Sequence, residues 1–145
     1  MKQAINEVLM KTIFKYFFLF CVGGLIYMLI EIGFSGSTHW TMGLLGGICF
    51  ILIGLIDSFY TLPLYKQMLM SSVLITALEF IAGTILNLGL GLNIWNYSHF
   101  PINILGQVCL PFSILWFFLS LPAIYLDDWI RCFFFDEPPI HHRFF

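Results

Sequence analysis

Four long apolar runs, separated by short polar stretches, dominate the pattern of this chain. They cover about Ile13–Phe34, interrupted by Lys15 and Glu31; Thr41–Ile56; Met68–Leu92, with Glu79 at its middle; and Ile104–Leu126, which contains Pro111 and Pro122. A membrane-spanning helix needs about 20 residues, and three runs reach that length. The second, Thr41–Ile56, is shorter and must stand straight, thin the bilayer locally or enter it partway. None of the runs alternates apolar and polar residues as a barrel strand would. The expectation is an all-α polytopic membrane protein with four transmembrane helices, a single transmembrane domain over residues 1–145 with short tails.

Composition strengthens this picture. Of 145 residues, 60% are apolar and 10% charged, whereas a soluble domain is closer to a quarter charged. A chain this short has too much surface for its interior to hide so many large apolar side chains in water. The first run extends past Met28, carries a carboxylate near its end and is followed by no small-x-small site, so it does not read as a cleaved signal peptide. The net charge of −2 comes with no basic stripe, so no nucleic-acid partner is expected. Cys21, Cys49, Cys109 and Cys132 have no paired or zinc-like spacing.

Charge adds a direction. With four spans, both termini and the second loop share one side, and these segments carry Lys2, Lys11, Lys15, Lys66, Arg131 and Arg143, every lysine and arginine of the chain. The positive-inside rule then places both termini in the cytoplasm of a multi-pass protein of the cell (inner) membrane. Trp40, Trp95, Tyr97 and Phe100 fall at the outer interface, and Tyr60, Tyr65, Trp129 and Phe133 at the inner one, as amphipathic rings prefer.

The two halves also resemble one another. Leu44–Phe50 aligns with Ile104–Leu110, each expected to open an outward-to-inward helix; each follows a carboxylate-bearing helix and a loop holding a histidine and a tryptophan, and an aspartate, Asp57 or Asp127, comes after. The pattern suggests two repeated helical hairpins related by an axis along the membrane normal.

Candidate chemistry begins with the carboxylates inside spans, which are costly there and normally face a partner, water or the bundle interior. Stepping by three and four through Glu79 gives Ser72, Thr76, Gly83 and Asn87, one polar and small stripe on an apolar helix. Glu31 lies nearer the outer end of the first span, above Gly24. Either carboxylate can bind a proton, a cation or a polar substrate, or can hydrogen-bond across helices and fix packing. The outer loops, with His39, Trp95, Asn96 and His99 and with Asn87 and Gln107 just below, form a polar mouth on one reading and interfacial anchors with turn residues on the other. No two of these histidines and glutamates stand at metal-ligand spacing, so no metal or cofactor is expected; His141–His142 in the tail is too isolated for one. Gly43 and Gly47 make a G-x-x-x-G pair for close helix approach. Asp127, Asp128 and Arg131 offer a local ion pair or a weak cytoplasmic docking point.

Several of these stretches carry a family resemblance: Ile30-Glu31-Ile32, Thr38-His39-Trp40, Leu44-Leu45-Gly46-Gly47, Leu78-Glu79-Phe80 with Gly83, Asn93–Ser98, Pro101 through Gln107, Cys109–Ser113, Trp116-Phe117 and Asp127-Asp128. Together they resemble the small bacterial membrane proteins grouped as putative ABC-transporter type IV, over about Gly24–Arg131. The resemblance implies a bacterial inner-membrane protein. As an ABC component this chain would need a separate ATPase, since it has no phosphate-binding G-x-x-x-x-G-K-[ST] loop.

The chain has no protease or hydrolase motif, so no catalytic residue is assigned. The expected function is a transport-related, permease-like membrane component with an intramembrane carboxylate site open to the outer face. The alternatives are a non-transporting accessory or assembly subunit and, more remotely, a membrane enzyme acting on a lipid headgroup. Four helices make a narrow bundle, so the expected partners beyond the bilayer are a second copy or another membrane subunit.

Overall fold

A computed structural model describes residues 1–145, 73% of them helical. Four helices are long and apolar enough to cross a membrane: α1 (Lys2–Ser35), α2 (Trp40–Phe59), α3 (Leu64–Gly83) and α4 (Leu110–Phe135). The second also reaches spanning length. Its 20 residues extend about 30 Å at 1.5 Å per residue, because the helix continues through Asp57 and Ser58 beyond the apolar run. Leu25, Leu29, Val73, Ile81 and Phe118 stand exposed along the helices, forming the surface that lipid would solvate.

Helices α1 and α2 make the tightest contact, and glycines set it. A Cβ on Gly23 would lie 2.2 Å from the Cβ of Phe50, one on Gly46 2.2 Å from the Cβ of Tyr27, and one on Gly24 2.5 Å from the Gly43 carbonyl oxygen. The small-residue pattern therefore packs helices within the chain. Polar side chains join α3 to α4: Ser72 Oγ donates to the Ser113 carbonyl at 2.6 Å and Thr76 Oγ1 to Ser113 Oγ at 2.9 Å.

Beyond Gly83 the helix widens into a π-helical turn, Thr84–Gly89. The chain then forms a long loop ending in a two-residue antiparallel ladder, β1 (Asn103–Ile104) against β2 (Val108–Cys109). This corrects the expected fourth span, whose helix starts at Leu110 rather than Ile104 and runs on to Phe135. Leu105 and Gly106 adopt φ of 52° and 68°, which reverse the chain instead of continuing a helix. The two aligned segments thus differ, Leu44–Phe50 lying in α2 and Ile104–Leu110 largely in the ladder. Pro111 falls in the first turn of α4, where its missing N–H costs nothing; only Pro122 sits inside the helix.

Both termini and the α2–α3 turn lie at one end of the bundle (the termini end) and the α1–α2 and α3–α4 loops at the other (the loop end). Trp40, Tyr60, Trp129 and Phe133 are exposed as interfacial anchors would be. Trp95 instead turns inward, its indole Nε1 donating to the Gln107 carbonyl at 2.9 Å.

Candidate functional site

The polar stripe on α3 faces α4 and the long loop. Glu79 is 2% exposed, and both of its oxygens are engaged: the Tyr27 hydroxyl donates to Oε1 at 2.6 Å and Trp116 Nε1 to Oε2 at 2.9 Å. The Tyr27 and Trp116 rings stack with centroids 5.3 Å apart and planes at 21°. Three helices therefore meet on one carboxylate. Gly46 makes this possible, because any side chain there would occupy the space of Tyr27.

One layer toward the loop end, Asn87 and Gln107 form a second buried network. Asn87 Nδ2 donates to Gln107 Oε1 at 2.8 Å and to the Trp95 carbonyl at 3.1 Å, while Asn87 Oδ1 accepts from the Ile94 backbone N–H at 2.7 Å. The π turn aims Asn87 inward, and Gly83 leaves room beside it, since a Cβ there would come within 2.5 Å of Gln107 Oε1 and 3.0 Å of the Trp95 ring. These contacts fix Trp95 from three sides.

Above them lies a cavity of about 330 Å³, within the size range of small-molecule sites. Its walls include seven aromatic rings, Tyr27, Phe34, Trp95, Tyr97, Phe100, Phe112 and Trp116, with Asn96, His99 and Glu31. Tyr97 stacks on Phe112 at 4.7 Å and Phe100 meets Phe112 edge-on at 5.3 Å. Burial raises the Tyr97 phenol above its ordinary value, so it stays neutral. Glu31 is the only carboxylate or fixed charge in the wall. It is half-buried and accepts a hydrogen bond from the Thr38 hydroxyl.

The sequence-derived candidates thus separate. Glu31, Trp95, Asn96 and His99 come together around the cavity. Glu79 lies behind Tyr27 and Trp116, which share its carboxylate and themselves line the cavity. Asn87 and Gln107 buttress the wall rather than line it. His39 caps α2, its Nδ1 accepting from the Thr41 N–H at 3.4 Å and meeting Thr41 Oγ1 at 2.8 Å. Asp127 and Arg131 sit at the termini end, where Arg131 Nε donates to Asp127 Oδ2 at 2.6 Å. Both are buried, at 1% and 4% exposure, and bind each other.

Tyr27 and Trp116 escaped the sequence reading. Tyr27 lies four residues before Glu31, hence on the same helical face, and that spacing was the available signal; Trp116 stood only among the stretches that carry the family resemblance, with no role attached to it.

A family model described as putative ABC-transporter type IV matches residues 15–135. Comparison with the curated proteins and with the solved structures finds no match.

Proposed function

The chain belongs to the putative ABC-transporter type IV family, and from that membership we propose that it is the ligand-recognising membrane component of a transport system, binding a small organic cation at its loop end. The observation that carries this reading is the composition of the cavity wall: one carboxylate, Glu31, among seven aromatic rings. An ammonium or quaternary ammonium group is attracted to ring faces and gains a counter-ion in Glu31. An anion would meet the same carboxylate and no fixed positive charge.

In this account Glu31 contacts the ligand, Trp95, Tyr97 and Phe100 enclose it, and Asn96 and His99 supply hydrogen bonds at the rim. Glu79 is a positioning residue, holding Tyr27 and Trp116 as the floor. The division of basic residues orients the loop end outward and both termini toward the cytoplasm. A second copy or partner subunit completes the pathway, and any ATP hydrolysis belongs to another chain.

The accessory-subunit reading draws on a different observation, the saturation of Glu79, Asn87 and Gln107 by partners within the chain. Tryptophan fluorescence of purified protein titrated with tetraethylammonium separates the two. Saturable binding that Glu31→Gln weakens at least tenfold supports recognition. Binding that is absent, or unchanged by Glu31→Gln and by Trp95→Leu in folded protein, supports the accessory role instead.

A further inference from the structure

A second cluster lies at the termini end, away from the cavity around Glu31. Asp57 comes from the last turn of α2, Asp128 from α4 and His142 from the C-terminal tail. The tail returns to the bundle because Asp136 takes a left-handed φ of 54° and Pro138-Pro139 follows. Its end is seated by the Leu64 N–H, which donates to the Arg143 carbonyl at 2.7 Å. The Tyr125 ring meets the His142 ring edge-on at 5.2 Å.

The side chains of Asp57 and His142 are 2% and 3% exposed. His142 Nε2 bonds the Asp128 carboxylate, which leaves Nδ1 facing Asp57 Oδ1 at 3.6 Å, too far for a hydrogen bond. Both oxygens of Asp57, Oδ1 of Asp128 and Nδ1 of His142 have no hydrogen-bond partner in the protein. One ligand atom from each of the three residues lies within 4.8 Å of the others.

Buried carboxylates without partners are costly, and no lysine or arginine pairs with Asp57 or Asp128. Arg131 holds Asp127 and Glu137, and Lys15 holds Glu137. A dication between Asp57 and His142 Nδ1 would satisfy three of the open positions together. A metal-bound histidine characteristically gives its other ring nitrogen to a carboxylate, as His142 does to Asp128. One imidazole with carboxylate oxygens suits a first-row dication such as Zn²⁺ or the harder Mn²⁺. Metal–ligand bonds of about 2.0–2.2 Å require ligand atoms roughly 3.3 Å apart, so the 3.6 Å pair of His142 Nδ1 and Asp57 Oδ1 is nearly in place, and Asp128, through its bond to Nε2, holds the imidazole toward it. A cavity of about 440 Å³, lined by Asp57, Tyr60, Gln67 and His142 among others, gives an ion access. We propose that Asp57, Asp128 and His142 form a binding site for a divalent transition cation, which would tie α2, α4 and the tail together at the termini end.

The test uses the full chain in detergent, stripped with a chelator and titrated calorimetrically with Zn²⁺ and separately with Mn²⁺. The expected result is one ion per chain and a higher melting temperature when loaded. His142→Gln, which alters only the tail, should weaken binding at least a hundredfold and remove the thermal shift. Asp57→Asn should do the same wherever its helical content and elution match wild type, and Asp128→Asn should weaken binding about 10–100-fold. His141→Gln and Cys132→Ser should change neither affinity nor stoichiometry. The site is overturned if wild type takes up neither metal beyond the level of His142→Gln, as it would if a protonated His142 merely bridged the two carboxylates. Uptake that survives both His142→Gln and Asp57→Asn overturns it equally.

Discussion

The two ends of this bundle treat buried polarity in opposite ways. Toward the loop end, Glu79, Asn87 and Gln107 share hydrogen bonds with Tyr27, Trp116, Trp95 and the Ile94 backbone. At the termini end, four atoms of Asp57, Asp128 and His142 find no partner in the protein. A satisfied network rigidifies what it joins, whereas open positions carry a standing cost. The difference teaches that burial alone does not mark a binding residue. Glu79, the most prominent candidate in the sequence, is bound within the fold; the half-buried Glu31 and the incomplete cluster at Asp57 are the groups left to meet something else.

Substitutions sharpen or break this contrast. The largest effect is expected for Glu79→Ala, which strands the Tyr27 hydroxyl and the Trp116 N–H. A loss of at least about 2 kcal/mol should appear as a lower melting temperature in detergent, and an unchanged melt would remove Glu79 from its structural role. Gly46→Ala comes next, because its Cβ would sit 2.2 Å from that of Tyr27; overpacking of this kind costs about 1–3 kcal/mol, read in the same melt. At the opposite end the sign reverses. Asp57→Asn replaces a buried carboxyl whose oxygens accept no hydrogen bond, so in chelator-treated protein it should raise stability by up to about 1 kcal/mol, and a loss comparable to that of Glu79→Ala would contradict the contrast. The smallest effect concerns Tyr97. Burial raises its phenol, so the neutral form is favoured by folding, and its contribution is complete below the unfolded value near pH 10. That contribution disappears as pH rises toward the higher folded value. Tyr97→Phe should leave the melt at neutral pH nearly unchanged and flatten its decline above about pH 10.

Much of the fold could be read from the chain because lipid-facing helices record themselves as long apolar runs. The departures arose where local backbone outweighed hydropathy. Ile104–Cys109 is apolar enough to extend a span, yet Leu105 and Gly106 turn it into a ladder. The stripe through Ser72, Thr76, Glu79, Gly83 and Asn87 was legible from 3.6-residue periodicity, but its partners lie on other elements and have no fixed spacing from it. Trp95 illustrates the same limit: an aromatic ring near a span end reads as an interfacial anchor, and only the Asn87–Gln107 pair turns it inward. His142 was further out of reach. It stands 85 residues from Asp57 in the numbering, and the returning tail alone brings the two together.

Glu31 meets the ligand while Glu79 holds the walls, a division that melting curves of wild type, Glu31→Gln and Glu79→Gln with and without saturating tetraethylammonium would expose. Glu31→Gln should melt close to wild type and lose the ligand-induced shift, while Glu79→Gln should melt lower and keep that shift. The opposite pattern, with the shift preserved in Glu31→Gln and lost in folded Glu79→Gln, would contradict the assignment.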